Sequence, residues 1–162
     1  MDADTNICAV ILNYNDAQTT IKLTESWKNS NAIRNIIIVD NCSTDDSWEN
    51  LRAFKEEFVS DKVQLHLFRT TENGGYGSGN QAGIDYAVQY LEPDYIIIAN
   101  PDVQVSDACI LRVADALEKQ EDGAVASANL FQSVLFNIKI SVDFAVGKIL
   151  RLPSPENSPS SI

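Results

Sequence analysis

Four short polar clusters hold the residues whose types and spacing could do chemistry. They are Asn13-Tyr14-Asn15-Asp16, Asp40-Asn41-Cys42-Ser43-Thr44-Asp45, the run from Arg69 to Asn80, and Asn100-Pro101-Asp102. Each stands directly after an apolar run. A carboxylate placed like Asp40 can accept the imide N–H of a uracil or thymine base. Four glycines within 74–79 let backbone approach a ligand closely and open a helix whose N-terminus favours negative charge. Asp102 on a tight turn suits an oxygen-loving cation such as Mg2+ or Mn2+, which would bridge diphosphate oxygens.

Plainer uses compete for the same residues. Asp45, Asp46 and Glu49 read as helix-terminus charges, and Asp40 with Asn41 could cap a turn through side-chain bonds to the backbone. The glycine run could be a flexible loop. Its piece at 77–82 fits GxGxxA, but some eight residues separate it from Phe68, whereas a dinucleotide fingerprint directly follows a strand. No P-loop pattern occurs. Arg69 could meet a phosphate, with a surface ion pair favoured, and His66 reads as a structural residue inside a strand. Cys8, Cys42 and Cys109 match no paired or metal-binding spacing. With a single histidine in the chain there is no zinc cluster and no Ser-His-Asp triad to assemble.

The elements that must position these clusters follow from hydrophobic patterning. Segments 7–13, 35–40, 62–68 and 94–99 are rich in Ile, Val and Leu, and three of them lack polar alternation, as expected of strands covered on both faces. A weaker fifth strand is expected at 123–128. Helical spacing occupies 16–30, 44–59, 79–91 and 106–119, with Thr44 and Ser106 as N-caps. Strands alternating with helices predict an α/β fold, a doubly wound, mainly parallel sheet with helices on both faces. In such a sheet ligands bind at the carboxyl ends of the strands, near the point where strand order reverses. All four clusters fall on that edge. Residues 1–130 form the expected α/β domain. Segment 131–150 follows as an amphipathic helix or strand extension, with a helix favoured for 134–150, and 151–162 as a disordered Pro/Ser-rich tail.

Charge narrows the partners. Twelve Lys and Arg against 23 Asp and Glu give a net charge of −11, which argues against nucleic acid and against a broad basic face on anionic lipid. An anionic ligand then needs a local device, a helix N-terminus or a cation. The start of the chain is acidic, unlike a signal peptide, and no apolar run approaches the ~18–20 residues of a membrane span. The expectation is a cytoplasmic chain, with 134–150 as a surface for self-association or for a membrane-proximal contact at the inner face.

Together, and in this order, VILNYN (10–15), IIIVDNCSTDDS (36–47), ENGGYGSGNQAG (72–83) and IIIANPDV (96–103) resemble the inverting nucleotide-sugar glycosyltransferases of family 2, which share the GT-A fold. The resemblance covers about the first 105 residues. It implies that Asn13 and Tyr14 line the base pocket largely through backbone, that Asp40 binds the pyrimidine imide, and that Asn15 and Asn41 belong to the same nucleotide-sugar site. It implies that Asn73, Gly74, Gly75 and Asn80 form the floor beneath ribose and diphosphate. Asn100 and Asp102 take the first and last places of the family's DxD motif, Asn100 toward a ribose hydroxyl and Asp102 toward the Mn2+ or Mg2+ ion. The NPDV form resembles the rhamnosyltransferase branch, implying a dTDP- or UDP-sugar donor and a cell-surface polysaccharide acceptor. The family's catalytic base belongs to an acceptor-side Glu-Asp pair. Glu121-Asp122 stands too early to match it, so no catalytic residue is assigned, and the chain is expected to bind a donor and to be incomplete for transfer by itself. The alternative is a non-catalytic α/β interaction module with 134–150 as its partner surface.

Overall fold

The computed structural model describes residues 5–119, 125–127 and 148–151. The chain runs β1 (Ile7–Asn13), α1 (Ala17–Trp27), β2 (Asn35–Asp40), α2 (Ser47–Glu57), β3 (Gln64–Arg69), α3 (Gly75–Tyr90), β4 (Tyr95–Ala99), α4 (Asp107–Glu118), β5 (Val125–Ser127) and β6 (Lys148–Arg151). These strands form one sheet in the order β3-β2-β1-β4-β6-β5. The first four are mutually parallel, and β6 runs antiparallel to both β4 and β5.

Period-two alternation sends each apolar strand run to two cores. Ile7, Ala9, Ile11, Ile36, Ile38 and Ile97 pack with Leu23, Trp27, Leu51, Ile110 and Leu117, joining α1, α2 and α4 to one face of the sheet. Cys8, Val10, Ile37, Val39 and Ile96 pack with Ile84, Tyr86 and Ala87 of α3 on the other. Helices cover both faces, as expected. Trp27 anchors α1 to the segment before α4 by donating from Nε1 to the carbonyl of Val105 at 3.0 Å.

Several boundaries move for physical reasons. Ser106 caps α4 by accepting from Cys109 N, as the sequence suggests, and α1 has a cap the sequence reading did not name, Asp16, which accepts from the Thr19 amide at 3.2 Å. Thr44 does not cap α2. Its own amide donates to Asn15 Oδ1 at 2.8 Å, and the helix begins at Ser47 after Asp46. The loop after β2 is thereby tied to the loop after β1. Helix α3 begins at Gly75, four residues before the expected 79, so much of the glycine run is its first turn. Two of its glycines are needed for contact: a Cβ at Gly79 would overlap Leu12 Cδ1, and a Cβ at Gly83 would overlap Val10 Cγ1 and stand 3.0 Å from Val39 Cγ2. At the far side, Lys148, Ile149 and Leu150 are strand rather than helix, pairing with Ile98, Ile97 and Ile96, and Arg151 continues the strand instead of opening a tail. Pairing there satisfies the backbone edge that β4 would otherwise expose. The remainder of 134–150 and of the proposed tail lies outside the described residues. Among the described residues, no helix is long and apolar enough to cross a membrane.

Candidate functional site

From β1 the chain winds outward to β2 and β3, then returns to place β4 on the other side of β1. Loops leaving β1 and β4 diverge at that reversal and open a crevice. A cavity of about 500 Å3 occupies it. Six of the residues expected to bind a donor line it: Tyr14, Asn41, Asn73, Gly75, Asn100 and Asp102. Leu12, Asp16, Tyr76 and Pro101 complete the wall. The cavity thus draws on the carboxyl-side loops of all four parallel strands.

Asn13, Asn15, Asp40, Gly74 and Asn80 do not line it. Three of them form a layer beneath the wall. Strand register puts Asn13, Asp40 and Arg69 side by side at the ends of β1, β2 and β3. Asp40 is fully buried. Its Oδ1 accepts from Asn13 Nδ2 at 2.9 Å and from the Ser43 hydroxyl, and its Oδ2 accepts from Ser43 N at 3.2 Å and pairs with Arg69 Nε at 3.1 Å. Those four contacts fill the acceptor positions of a carboxylate. Arg69 also donates to the Ser43 carbonyl, and its guanidinium stands 5.8 Å from the centre of the Trp48 ring. The ion pair is therefore the use that Arg69 finds. Asn15, in the left-handed region at φ 55°, donates from its amide to Ser43 Oγ at 3.0 Å.

Above that layer, Asn41 Nδ2 donates to Asn73 Oδ1 at 2.8 Å and to the Gly75 carbonyl at 3.3 Å. Asn73 Oδ1 also accepts from Gly75 N at 2.9 Å. Gly75 sits at φ +81°, a conformation open to glycine at little cost, and there the chain turns into α3. Gly74 offers no side-chain cap to the helix, so the positive end of a 16-residue helix faces the cavity wall. Asn80 is 4% exposed and donates from Nδ2 to the Tyr76 carbonyl at 2.9 Å. Its Oδ1 is the one buried side-chain polar atom among the described residues without a partner. An acceptor so placed forfeits about 1–3 kcal/mol unless a donor reaches it.

Among the described residues, the wall carries two carboxylates, Asp16 and Asp102, and no Lys, Arg or His. Against a diphosphate these two charges are opposed by the N-terminus of α3, and a cation would complete the neutralisation. Among the described residues, no group of three or more His, Cys, Asp or Glu could enclose a metal. The donor set fits a hard divalent ion held by one or two carboxylates and completed by phosphate oxygens and water, and it does not fit a stand-alone metal centre. A second hollow of about 500 Å3, between α1 and the loop after β4, includes Thr19, Lys22, Ser26 and Gln104 in its wall and meets the first at Pro101 and Asp102.

Other ionisable groups serve the fold. His66 lies 3.2 Å from both Tyr86 Oη and Asn35 Oδ1, and burial, with a lesser effect of the Lys55 charge, lowers its pKa. Burial pushes the Cys8 thiol up to about 12. All three cysteines are free.

The family model described as Glycosyl transferase family 2 matches residues 8–156. The chain belongs to that family. Among solved structures, this family 2 chain is similar to the mannosyltransferase PcManGT from Pyrobaculum calidifontis, determined with GDP-Man and Mn2+. The TM-score is 0.58 at 15% identity, over 74% of this chain and 34% of that one. It is also similar to residues 1–349 of S. aureus TarS in complex with UDP, with TM-score 0.55 and 18% identity over 75% of this chain and 34% of that one. A further structure of TarS 1–349 gives TM-score 0.56 at 14% identity, covering 91% of this chain and 47% of that one. The chain spans about a third to a half of the length of these structures, and the shared fold is GT-A-like. No curated protein matches it.

Proposed function

We propose that this chain binds a pyrimidine nucleotide-diphospho-sugar together with Mn2+ or Mg2+ in the crevice between β1 and β4, as the donor-binding part of an inverting glycosyltransferase acting on a cell-surface polysaccharide. One observation carries the proposal: four loops, far apart in sequence, deliver Tyr14, Asn41, Asn73, Gly75, Asn100 and Asp102 to one cavity at the reversal of strand order. The base lies toward Tyr14 and Asn41. Asp40 takes the imide N–H in exchange for one of its four present donors, while Asn13 and Asn15 hold the loops that frame it. Asn73, Gly74, Gly75 and Asn80 support ribose and diphosphate, with the N-terminus of α3 toward the phosphates. Asn100 meets a ribose hydroxyl. Asp102 would hold the cation, which supplies charge neutralisation of the diphosphate as it becomes the leaving group.

GDP-Man in one similar structure and UDP in another support a nucleoside-diphosphate ligand, and the NPDV form at 100–103 supports a rhamnosyltransferase-like specificity with a dTDP- or UDP-sugar. The second hollow gives an acceptor an approach to Asp102 from the α1 side. The base that an inverting transfer needs for the acceptor hydroxyl is assigned to no residue of this chain.

Thermal unfolding with UDP, dTDP, GDP and NAD, each with and without Mn2+, tests the proposal. Stabilisation by UDP or dTDP that depends on Mn2+ is the expected result; stabilisation by NAD alone would overturn it.

A further inference from the structure

Six large hydrophobic side chains stand out as exposed among the described residues: Tyr14, Val59, Tyr76, Val88, Tyr90 and Leu111. Two of them, Tyr14 at 45% and Tyr76 at 59% exposure, line the same cavity. Folding makes little use of either side chain. Tyr90 has a ring partner in Tyr86, with centroids 4.9 Å apart, whereas neither cavity tyrosine has a ring partner or a hydroxyl hydrogen bond among the described residues. A tyrosine ring left in water forgoes the area burial that normally places it. Its backbone, by contrast, is well held. The Tyr76 carbonyl accepts from the buried Asn80 amide, and the preceding residue, Gly75, is fixed by Asn41 and Asn73.

The backbone on either side of Tyr76 is uncrowded. Gly75 and Gly77 flank Tyr76, and a Cβ added at either would meet nothing within 4 Å. Tyr14 reaches the cavity from the loop leading to α1 and Tyr76 from α3, and those helices lie on opposite faces of the sheet. Among the described residues of the wall, Leu12 and Pro101 add aliphatic surface, and Tyr14 and Tyr76 are the aromatic side chains on which a planar ligand can stack.

We propose that Tyr76 is a base-recognition residue whose ring covers one face of the donor's nucleobase while Tyr14 supports it from the other loop, so that the site selects a nucleoside-linked diphosphate over a base-free one. The proposal rests on the nucleotide-binding role given above. Stacking of one base on an aromatic ring corresponds to roughly a five- to 150-fold change in affinity when the ring is removed.

The test is calorimetric titration of wild type, Tyr76→Phe and Tyr76→Ala with UDP and separately with inorganic pyrophosphate, both in Mg2+. Because the side chain is exposed, both variants keep the fold, which their unfolding midpoints verify. The expected result is a UDP Kd raised about tenfold in Tyr76→Ala and little changed in Tyr76→Phe, with the pyrophosphate Kd the same in all three. A UDP Kd within twofold of wild type in Tyr76→Ala overturns the role of Tyr76 and leaves nucleotide binding standing. An equal loss for UDP and pyrophosphate overturns base recognition. Absence of UDP binding in the wild type overturns both proposals.

Discussion

Replacing Asp40 by alanine would remove the acceptor shared by Asn13, Ser43 and Arg69 at the ends of three strands. The carboxylate is fully buried, while the Arg69 side chain is 34% exposed and keeps its bond to the Ser43 carbonyl. Breaking a buried pair by deleting one partner typically destabilises by about 3–5 kcal/mol. Water can reach the guanidinium, which moves the expectation to the lower end, about 3 kcal/mol, with most of it from the stranded Ser43 and Asn13 donors. Typical domains hold only about 5–15 kcal/mol in total. Urea unfolding followed by tryptophan fluorescence should show the midpoint falling by roughly 1–3 M in Asp40→Ala, with a smaller fall in Asp40→Asn, which retains one acceptor oxygen. An unchanged midpoint in Asp40→Ala would refute the view that this carboxylate ties the loops together. The same measurement is the control for any binding experiment on the residue. A group that contacted only the base would weaken UDP and leave the midpoint where it was.

Two glycines of α3 should respond in opposite directions. Gly83→Ala forces a Cβ into Val10 and should destabilise by about 1–2 kcal/mol after the gain in helix propensity, lowering Tm by a few degrees. Gly77→Ala meets open space and should raise stability by up to about 1 kcal/mol in the same thermal scan. His66 has its pKa lowered from 6.5 by burial, so the folded state resists protonation. The corresponding stability is present above that value and is lost as pH falls below it; unfolding midpoints between pH 7.5 and 5 should show the loss in wild type and a reduced one in His66→Gln. Asp102→Asn should leave the urea midpoint within about 0.5 kcal/mol, since the carboxylate lines a cavity and bonds nothing in the described fold. The Mn2+-dependent part of UDP affinity should fall at least tenfold in that variant, read by titration with and without the metal.

Much of the site was legible because β-branched runs mark buried parallel strands, and the residue types that follow each run then have only one sheet edge to occupy. Asp102 and Asn41 reach the cavity for that reason. What could not be read depends on neighbours distant in sequence. Tyr76 was hidden within a glycine run that looked like a loop, because low helix propensity masks a helix start when tertiary contact supplies the stabilisation. The need for Gly79 and Gly83 is visible only once Leu12, Val10 and Val39 stand beneath them. Thr44 bonds Asn15, 29 residues earlier, instead of capping α2, whose N-cap is Asp46. The sealing of Asp40 followed from the β2–β3 register, which sets Arg69 beside it. Ambiguous apolar patterning near 148–150 resolved toward strand because β4 offered an open edge.

Joint occupancy of the β1–β4 crevice by a pyrimidine nucleotide and a divalent cation is tested most directly by calorimetric titration of UDP into the wild-type chain, in Mn2+ and again in EDTA. Saturable one-to-one binding in Mn2+ that weakens at least tenfold in EDTA is the predicted result. Equal affinity in the two conditions, or no heat from UDP in either, would contradict it.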